Sequence, residues 1–500
     1  MKLGTILVRA DASVEIGTGH VMRCLALAQA WQDAGGRAVF AMTKTIPAIS
    51  DRLRREGMEI VSLTAESGAA EDVSQTLTAA NLNQANWVIL DGYSFGSQYQ
   101  REIKHAGKKL LFLDDNAHCS HYCADLVLNQ NIHAHEGMYA RRDKRTRLLL
   151  GLRFALLRRE FSNGRGQPRV VADIGRKVLV AFGGCDPGNA TASAIEALDC
   201  LPSGSLEVSV VAGGGNPHLE TLKQMCARGR HPTRIVQDPK SMMDLMLWAD
   251  VAISAAGSTC WEICFLGLPA MLIAVAENQK PGAEELARRE IAQYLGCVGS
   301  FSPERLAAEL HELLECKPRR DAMSAAGQKL IDGQGSNRVV TAMQVSGLKL
   351  RRANQGDCRL LWEWANDSAV RAASFQSQSI SWEQHSDWFA QKLDSNQSII
   401  YIGEDESGTP VGQFRLDWNS GCEAQVDISV ARERRGSGIA ALLIAQGAQA
   451  AFCETPVRRL HACIKPENLP SLRAFEKAGF GSFQQIQDAV RCTRERGVED

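Results

Sequence analysis

Over the first two thirds of the chain, short apolar runs alternate with stretches whose apolar positions return every third or fourth residue. Runs of this kind read as strands buried on both faces, and the 3.6-residue period between them reads as helices laid against a sheet. The first strand is Thr5 to Arg9. The stripe Cys24, Leu27, Ala28 and Trp31 then predicts a helix over 21–34, stopped by Gly35 and Gly36. A strand at 37–42, a helix at 46–56 and a strand at 58–63 continue the alternation, with further strands at 87–90, 109–113 and 126–128. Strand and helix in turn is the grammar of a parallel sheet.

A stretch rich in Gly, Asn, Arg and Pro at 161–169 interrupts this pattern, which then restarts. Strands at 178–182, 206–211 and 251–254 each lead into a turn of small residues, two of them glycine-rich. From Leu348 the order changes: strands at 401–404 and 410–417 form a hairpin, and 423–430 alternates strictly between polar and apolar residues, as a half-buried antiparallel strand does. These breaks divide the chain into 1–165, 166–346 and 347–500. The expected fold class is α/β, two Rossmann-like domains, followed by a smaller α+β domain. A length of 500 residues fits about three domains.

Composition narrows the partners. A formal net charge of −1 gives no basic field for a phosphate polymer, so neither nucleic acid nor an anionic membrane is an expected partner. No apolar run approaches the ~20 residues needed to span a bilayer. Fifteen scattered cysteines and an N-terminus that runs straight into a strand read as a reduced, cytoplasmic protein; the oligomeric state stays open. The cluster His118, Cys119, His121 and Cys123, with His133 and His135 beyond, lacks a paired Cys-x-x-Cys spacing. It reads as a loop with coincidental soft ligands, and no metal is expected.

The candidate chemistry starts at Ile16–Cys24, the junction of the first strand and helix. Gly17 and Gly19 free backbone N–H groups to face a ligand at a helix N-terminus, and His20, whose imidazole titrates near neutrality, stands at its mouth. Asp91, Tyr93, Asp114, Asp115, Asn129 and Gln130 end later strands, and in an open α/β sheet that places them around the same crevice. A dinucleotide fingerprint fails, because Met22 stands where its third glycine belongs. The turn Gly257-Ser258-Thr259, at the start of a helix carrying Glu262, is the better phosphate site.

The runs Arg9-Ala-Asp11-Ala-Ser and Ile16-Gly-Thr-Gly-His-Val-Met-Arg-Cys24 resemble the signature of the UDP-sugar hydrolases of pseudaminic acid biosynthesis, relatives of MurG in the GT-B superfamily. So do Asp91-Gly-Tyr93, Leu128-Asn-Gln-Asn131, Ala155-Leu-Leu-Arg158, Gly183-Gly-Cys-Asp-Pro187, Ala255-Ala-Gly-Ser-Thr-Cys-Trp-Glu262 and Glu277-Asn-Gln279, so that the resemblance covers about 1–345. It implies a GT-B arrangement and metal-free hydrolysis of UDP-2,4-diacetamido-2,4,6-trideoxy-β-L-altrose with inversion. His20 would activate water, Tyr93 and Asn278 flank the sugar, Glu262 hold the ribose or uridine and Gly257, Ser258 and Thr259 the pyrophosphate. Arg9, Asp11, Gly17, Gly19 and Arg158 would complete the substrate site.

Arg434-Arg-Gly-Ser-Gly-Ile-Ala440, followed by Asn468-x-x-Ser471 and Phe475-Glu-Lys-Ala-Gly-Phe480, resembles the GNAT acetyltransferases. That resemblance implies acetyl-CoA held by Arg435, Gly436, Gly438, Ala440 and Asn468. Phe475 stands where many members carry a tyrosine general acid, and Tyr401 is the one tyrosine after residue 348. Glu423 and Asp427 are the candidate bases for the attacking amine. Together the resemblances imply a bifunctional enzyme that acetylates the 4-amino group of a UDP-amino sugar and removes UDP from the product. The alternatives are a UDP-sugar glycosyltransferase with an appended acetyltransferase, and a non-catalytic sensor of UDP-sugar and acetyl-CoA.

Overall fold

The computed structural model describes residues 3–164, 169–203, 205–345, 348–405, 408–418, 421–435 and 439–497. They form two units, one spanning 3–343 and one from residue 344 on. The expected divisions at 165/166 and 346/347 lie outside the described residues, as do Gly436 and Gly438.

The larger unit holds two parallel sheets. In the first, β1 (Thr5–Ala10), β2 (Arg37–Met42), β3 (Glu59–Ser62), β4 (Ala85–Asp91), β5 (Lys109–Leu113), β6 (Leu126–Asn129) and β7 (Arg147–Leu150) lie in the order β3-β2-β1-β4-β5-β6-β7. All its pairs are parallel. Every residue of β1 is buried, as continuous apolar runs covered by helices on both faces must be. The chain leaves β1 on one side for β2 and later returns on the other for β4, so a crevice opens at the carboxyl ends of β1 and β4. The helix Gly19–Asp33 starts there and buries Cys24, Leu27, Ala28 and Trp31 against the sheet.

The second sheet is built from β8 (Lys177–Ala181), β9 (Glu207–Ala212), β10 (Thr233–Gln237), β11 (Val251–Ala255), β12 (Ala270–Ala274) and β13 (Gln293–Cys297), ordered β10-β9-β8-β11-β12-β13. It is parallel throughout, with the same switch between β8 and β11. The expected α/β architecture is therefore observed. The two halves nevertheless exchange parts of their cores. Ala155, Leu157 and Phe161 pack with Trp261 and Phe265 of the second half. Val339, Val340, Ala342 and Met343, on the closing helix Gly335–Val345, pack into the first. Each segment thus packs in the core of the half other than the one it adjoins in sequence, because an apolar stripe follows the surface it fits and not its neighbours along the chain.

The second unit is one mixed sheet of β14 (Lys349–Arg352), β15 (Ser398–Glu404), β16 (Pro410–Trp418), β17 (Glu423–Val430), β18 (Arg459–Ile464), β19 (Gly481–Ile486) and β20 (Ala489–Glu495). Its order is β14-β15-β16-β17-β18-β20-β19. The first four strands are antiparallel, and β17 meets β18 in parallel. Ala424 and Val426 of β17 turn inward with the helix Ile439–Glu454 in one core. This is the expected α+β domain. Among the described residues no helix is long and apolar enough to cross a membrane.

Candidate functional site

His20 is in the first turn of the helix Gly19–Asp33, and Asp91 ends β4 beside it. Their Nδ1 and Oδ1 atoms are 2.6 Å apart. Because a carboxylate only accepts, Nδ1 is the donor in this pair, which leaves Nε2 of the neutral ring as the proton acceptor. Arg23, three residues on and so on the same helix face, donates from Nε and Nη2 to Asp91 at 2.6 and 2.7 Å. Its Nη1 reaches both oxygens of Asp115, at the end of β5, at 2.7 and 2.9 Å. Burial pushes the Asp91 carboxyl up, but Arg23 and His20 outweigh it and hold the group well below the usual carboxylate range. The network sets the direction of the His20 ring.

Tyr93 stands edge-on to His20, ring centroids 5.2 Å apart, and donates its hydroxyl to Asp115 at 3.2 Å. Burial and then the Asp115 charge push the phenol well above its ordinary value, so it stays a neutral donor. Asn278, from the second half, donates Nδ2 to the Tyr93 oxygen at 2.8 Å. On the far side of Tyr93 lies His118, 5.5 Å between centroids, with Nδ1 3.1 Å from Asp114. Burial pulls its imidazolium down, yet the bonds to Asp114 and Cys119 prevail and push it up to about 10. Two imidazoles, one phenol and one amide thus meet at the mouth of the crevice.

Gly17 adopts φ +80°, a left-handed conformation, and neither it nor Gly19 has a neighbour within 4 Å of a built Cβ. The glycines beyond β8 and β9 serve close approach: a Cβ on Gly184 would lie 2.4 Å from the Thr18 hydroxyl, and one on Gly213 2.3 Å from the Gly184 carbonyl. Across the crevice, Gly257, Ser258 and Thr259 form the turn from β11 into the helix Thr259–Leu266, whose start carries no side-chain cap. The Cys260 and Trp261 amides bond back to the Gly257 and Ser258 carbonyls at 3.0 and 3.1 Å, so the amides suited to an anion are those of the 257–259 turn itself. Glu262, one turn on, accepts from Arg158 Nε and Nη2 at 2.9 Å each, and Arg158 also meets Glu160 at 2.6 Å.

Arg9 and Asp11 do not line the crevice. Arg9 is fully buried, spending its guanidinium on Asp72 at 2.9 and 3.1 Å and on Asp11 at 2.8 Å. Asp11 accepts from the Thr43 and Lys44 amides at 2.8 and 3.0 Å. The pair ties the loops after β1 and β2 to the helix Ala70–Leu82, a supporting role in place of the expected substrate contact.

In the second unit β17 and β18 pair only between 423–425 and 459–461. Past Gln425 that ladder ends, and Asp427 sits just beyond, its side chain 50% exposed, accepting from Gln413 Nε2 at 3.0 Å and ion-paired to Arg415 at 3.7 Å. Glu423 lies instead at the paired end, ion-paired to Arg459 and Arg491. The Arg459 hydrogen bond holds its carboxyl below the usual range. Arg435 donates Nε to the Val430 carbonyl at 3.1 Å and pairs with Asp367 at 2.7 Å. Ala440 is in the first turn of the helix Ile439–Glu454, and Asn468 caps the helix Leu469–Lys477 through the Ser471 amide at 3.3 Å. Phe475 is buried edge-on to Phe480, and the buried Tyr401 donates to the half-exposed Glu454 at 2.9 Å.

Residues 178–338 match the glycosyltransferase family 28 C-terminal domain, and residues 348–481 match the acetyltransferase (GNAT) domain. The chain joins these two domains. A protein of Methanocaldococcus jannaschii is 21% identical over 497 residues, 95% of this chain and 96% of its own. The UDP-2,4-diacetamido-2,4,6-trideoxy-β-L-altropyranose hydrolase of Campylobacter jejuni is 25% identical over 289 residues, 57% of this chain and 96% of its own. Among solved structures, Acinetobacter baumannii MurG is 16% identical, covers 68% of this chain and 99% of its own, and has a TM-score of 0.48.

Proposed function

We propose that the chain is a bifunctional enzyme of amino-sugar biosynthesis: it acetylates the 4-amino group of a UDP-4-amino-dideoxy sugar and hydrolyses the diacetamido product to free sugar and UDP. The observation that carries the hydrolytic half is the His20–Asp91 pair at the crevice mouth. In this reading His20 Nε2 takes a proton from water as the oxygen attacks the anomeric carbon from the face opposite the diphosphate. The C–O bond breaks with its electron pair going to UDP, and the configuration inverts. The charge grows on the departing diphosphate, where the amides of the 257–259 turn would meet it. Tyr93 and Asn278 would orient the sugar. The name and likeness of the Campylobacter relative support the same substrate class.

For the acetyl transfer, Asp427 would accept the proton of the attacking ammonium directly or through water. The amine adds to the thioester carbonyl, and the CoA thiolate leaves and takes up a proton. The residues from Arg435 to Ala440 would hold the pyrophosphate of acetyl-CoA. Asp427→Asn should lower acetylation by about 10²-fold while hydrolysis of pre-acetylated UDP-sugar is unchanged, and Glu423→Gln should change neither by more than about twofold. CoA release by thiol titration and UDP release by chromatography read the two arms.

Glu262→Gln should raise KM for the UDP-sugar by about tenfold and leave kcat within about twofold, since a ribose contact acts alike in ground and transition states. A collapse of kcat at unchanged KM would remove Glu262 from nucleotide binding. The reading as a whole is tested by incubating the purified chain with UDP-4-amino sugar and acetyl-CoA. CoA should appear before UDP, and pre-acetylated sugar should yield UDP without acetyl-CoA. UDP release that requires a sugar acceptor would make the enzyme a glycosyltransferase instead.

A further inference from the structure

Behind the crevice wall, the loop from β5 to β6 carries His121 and Cys123 on either side of Tyr122. Tyr122 bridges Arg142 in parallel, with its amide 2.9 Å from the Arg141 carbonyl and its own carbonyl accepting from the Asp143 amide at 2.9 Å. In extended chain alternate side chains share a face, so His121 and Cys123 point together, away from Tyr122, and the bridge brings Asp143 alongside them. The imidazole nitrogen, thiol sulfur and carboxylate oxygen all lie within 4.8 Å of one another. His121 Nε2 is 2.8 Å from Asp143 Oδ1, and the Cys123 amide is fixed by Gln100 Oε1 at 2.9 Å.

We propose that His121, Cys123 and Asp143 bind a divalent transition-metal cation, zinc by chemistry, in a three-ligand site outside the crevice. A mixed nitrogen, sulfur and oxygen donor set suits zinc, whereas magnesium and calcium call for oxygen alone. Bond lengths of about 2.0–2.3 Å put neighbouring donors of a tetrahedral site ~3.3–3.8 Å apart, so the hydrogen-bonded His121 and Asp143 must part by roughly half an ångström and the thiol draw in by about one. The fourth position falls to water. Cys123 is buried, while the His121 and Asp143 side chains are 39% and 56% exposed, which gives the ion a way in. Binding exchanges the thiol proton for the metal and releases it to solvent. Of the six His and Cys residues clustered in the sequence, only two share this site; the third donor comes from the next loop, so no sequence spacing announced it.

The site has a mechanical consequence. The Tyr122 hydroxyl, on the inner side of the same strand-like segment, bonds Asp114, whose other oxygen faces His118. A cation on the outer side would clip this loop to the segment that leads into β7, and so brace the wall that carries Asp114, Asp115 and His118.

The test uses the full chain, stripped with chelator and titrated with cobalt(II) alone. A thiolate-to-cobalt charge-transfer band saturating near one equivalent is expected, displaced by zinc, lost in Cys123→Ser and weakened at least tenfold in Asp143→Asn. Zinc should raise the melting temperature of the wild type, leave that of Cys123→Ser unchanged and raise that of Asp143→Asn less than the wild type's; Asp143→Asn alters an exposed side chain, so its folding is not at stake. No thiolate band in the wild type, or an equal band and thermal shift in both variants, would overturn the proposal and assign the metal to other cysteines.

Discussion

His20→Asn is expected to slow UDP release by about 10²–10⁴-fold while the affinity for the UDP-sugar stays within about tenfold. The asparagine amide can keep the Nδ1 bond to Asp91 through its NH₂, but it stops short of the Nε2 position and has no group to take the proton as the new C–O bond forms. What is lost therefore belongs to the transition state. The fold should be indifferent: the His20 side chain is 11% exposed and sits in the first turn of its helix, where Asn is tolerated. The measurements are single-turnover UDP release, UDP-sugar binding by calorimetry, and a melting curve. Turnover within a few-fold of wild type would remove His20 from the mechanism, whereas a tenfold loss of affinity with unchanged chemistry would make it a binding residue.

The parallel strands were legible because their apolar runs are continuous, and the phase of the helix Gly19–Asp33 followed from its stripe. His20 and the strand-end aspartates followed from the same grammar, since polar residues at the carboxyl ends of parallel strands have one crevice to face. The partnership among them was not legible. Asp91 and Asp115 are 68 and 92 residues from Arg23, and only the register of β4 and β5 brings them to it. A signal did exist: Arg23 is a charged residue one helical turn from His20 on a helix otherwise apolar toward the sheet, and such a residue needs a buried partner. Arg9 and Asp11 show the converse error. They stand in a motif beside the site, but a strand buried on both faces leaves Arg9 nowhere to point except into the protein. His118 was masked by its cysteine neighbours, which drew attention to spacing when the informative partner was Asp114, four residues back.

The same geometry separates the two acidic candidates of β17. Alternation puts Glu423 and Asp427 on one face and cannot rank them. The ranking comes from where the parallel ladder with β18 stops, between Gln425 and Val426, and this depends on a strand more than thirty residues further along. Glu423 is held by Arg459 on that neighbouring strand, whereas Asp427, past the end of the ladder, meets only the looser Arg415 at 3.7 Å and the neutral Gln413 amide.

Asp91→Asn should reduce hydrolysis as severely as the loss of His20, about 10²–10⁴-fold, with a different signature. Two donors converge on each Asp91 oxygen: His20 Nδ1 and Arg23 Nη2 on one, Arg23 Nε and the Cys24 thiol on the other. An amide must present its NH₂ to one of these pairs, and Arg23 has no acceptor with which to answer. Where the NH₂ faces His20, the imidazole must accept at Nδ1, which moves its proton to Nε2 and removes the base. Arg23 keeps both bonds to Asp115, so the cost to stability should be about 1–3 kcal/mol, short of the larger loss expected when a buried charge is left with no partner. Acid should reveal the same carboxylate. Its pKa is depressed in the folded chain, so its contribution is complete above the unfolded value of about 3.9 and is lost as pH falls below that toward the folded value. Between pH 6 and pH 3 the melting temperature of Asp91→Asn should therefore fall less steeply than that of the wild type, although it starts lower. Parallel melting curves across that range, or a variant that still hydrolyses at the wild-type rate, would show that Asp91 neither carries the buried charge nor directs His20.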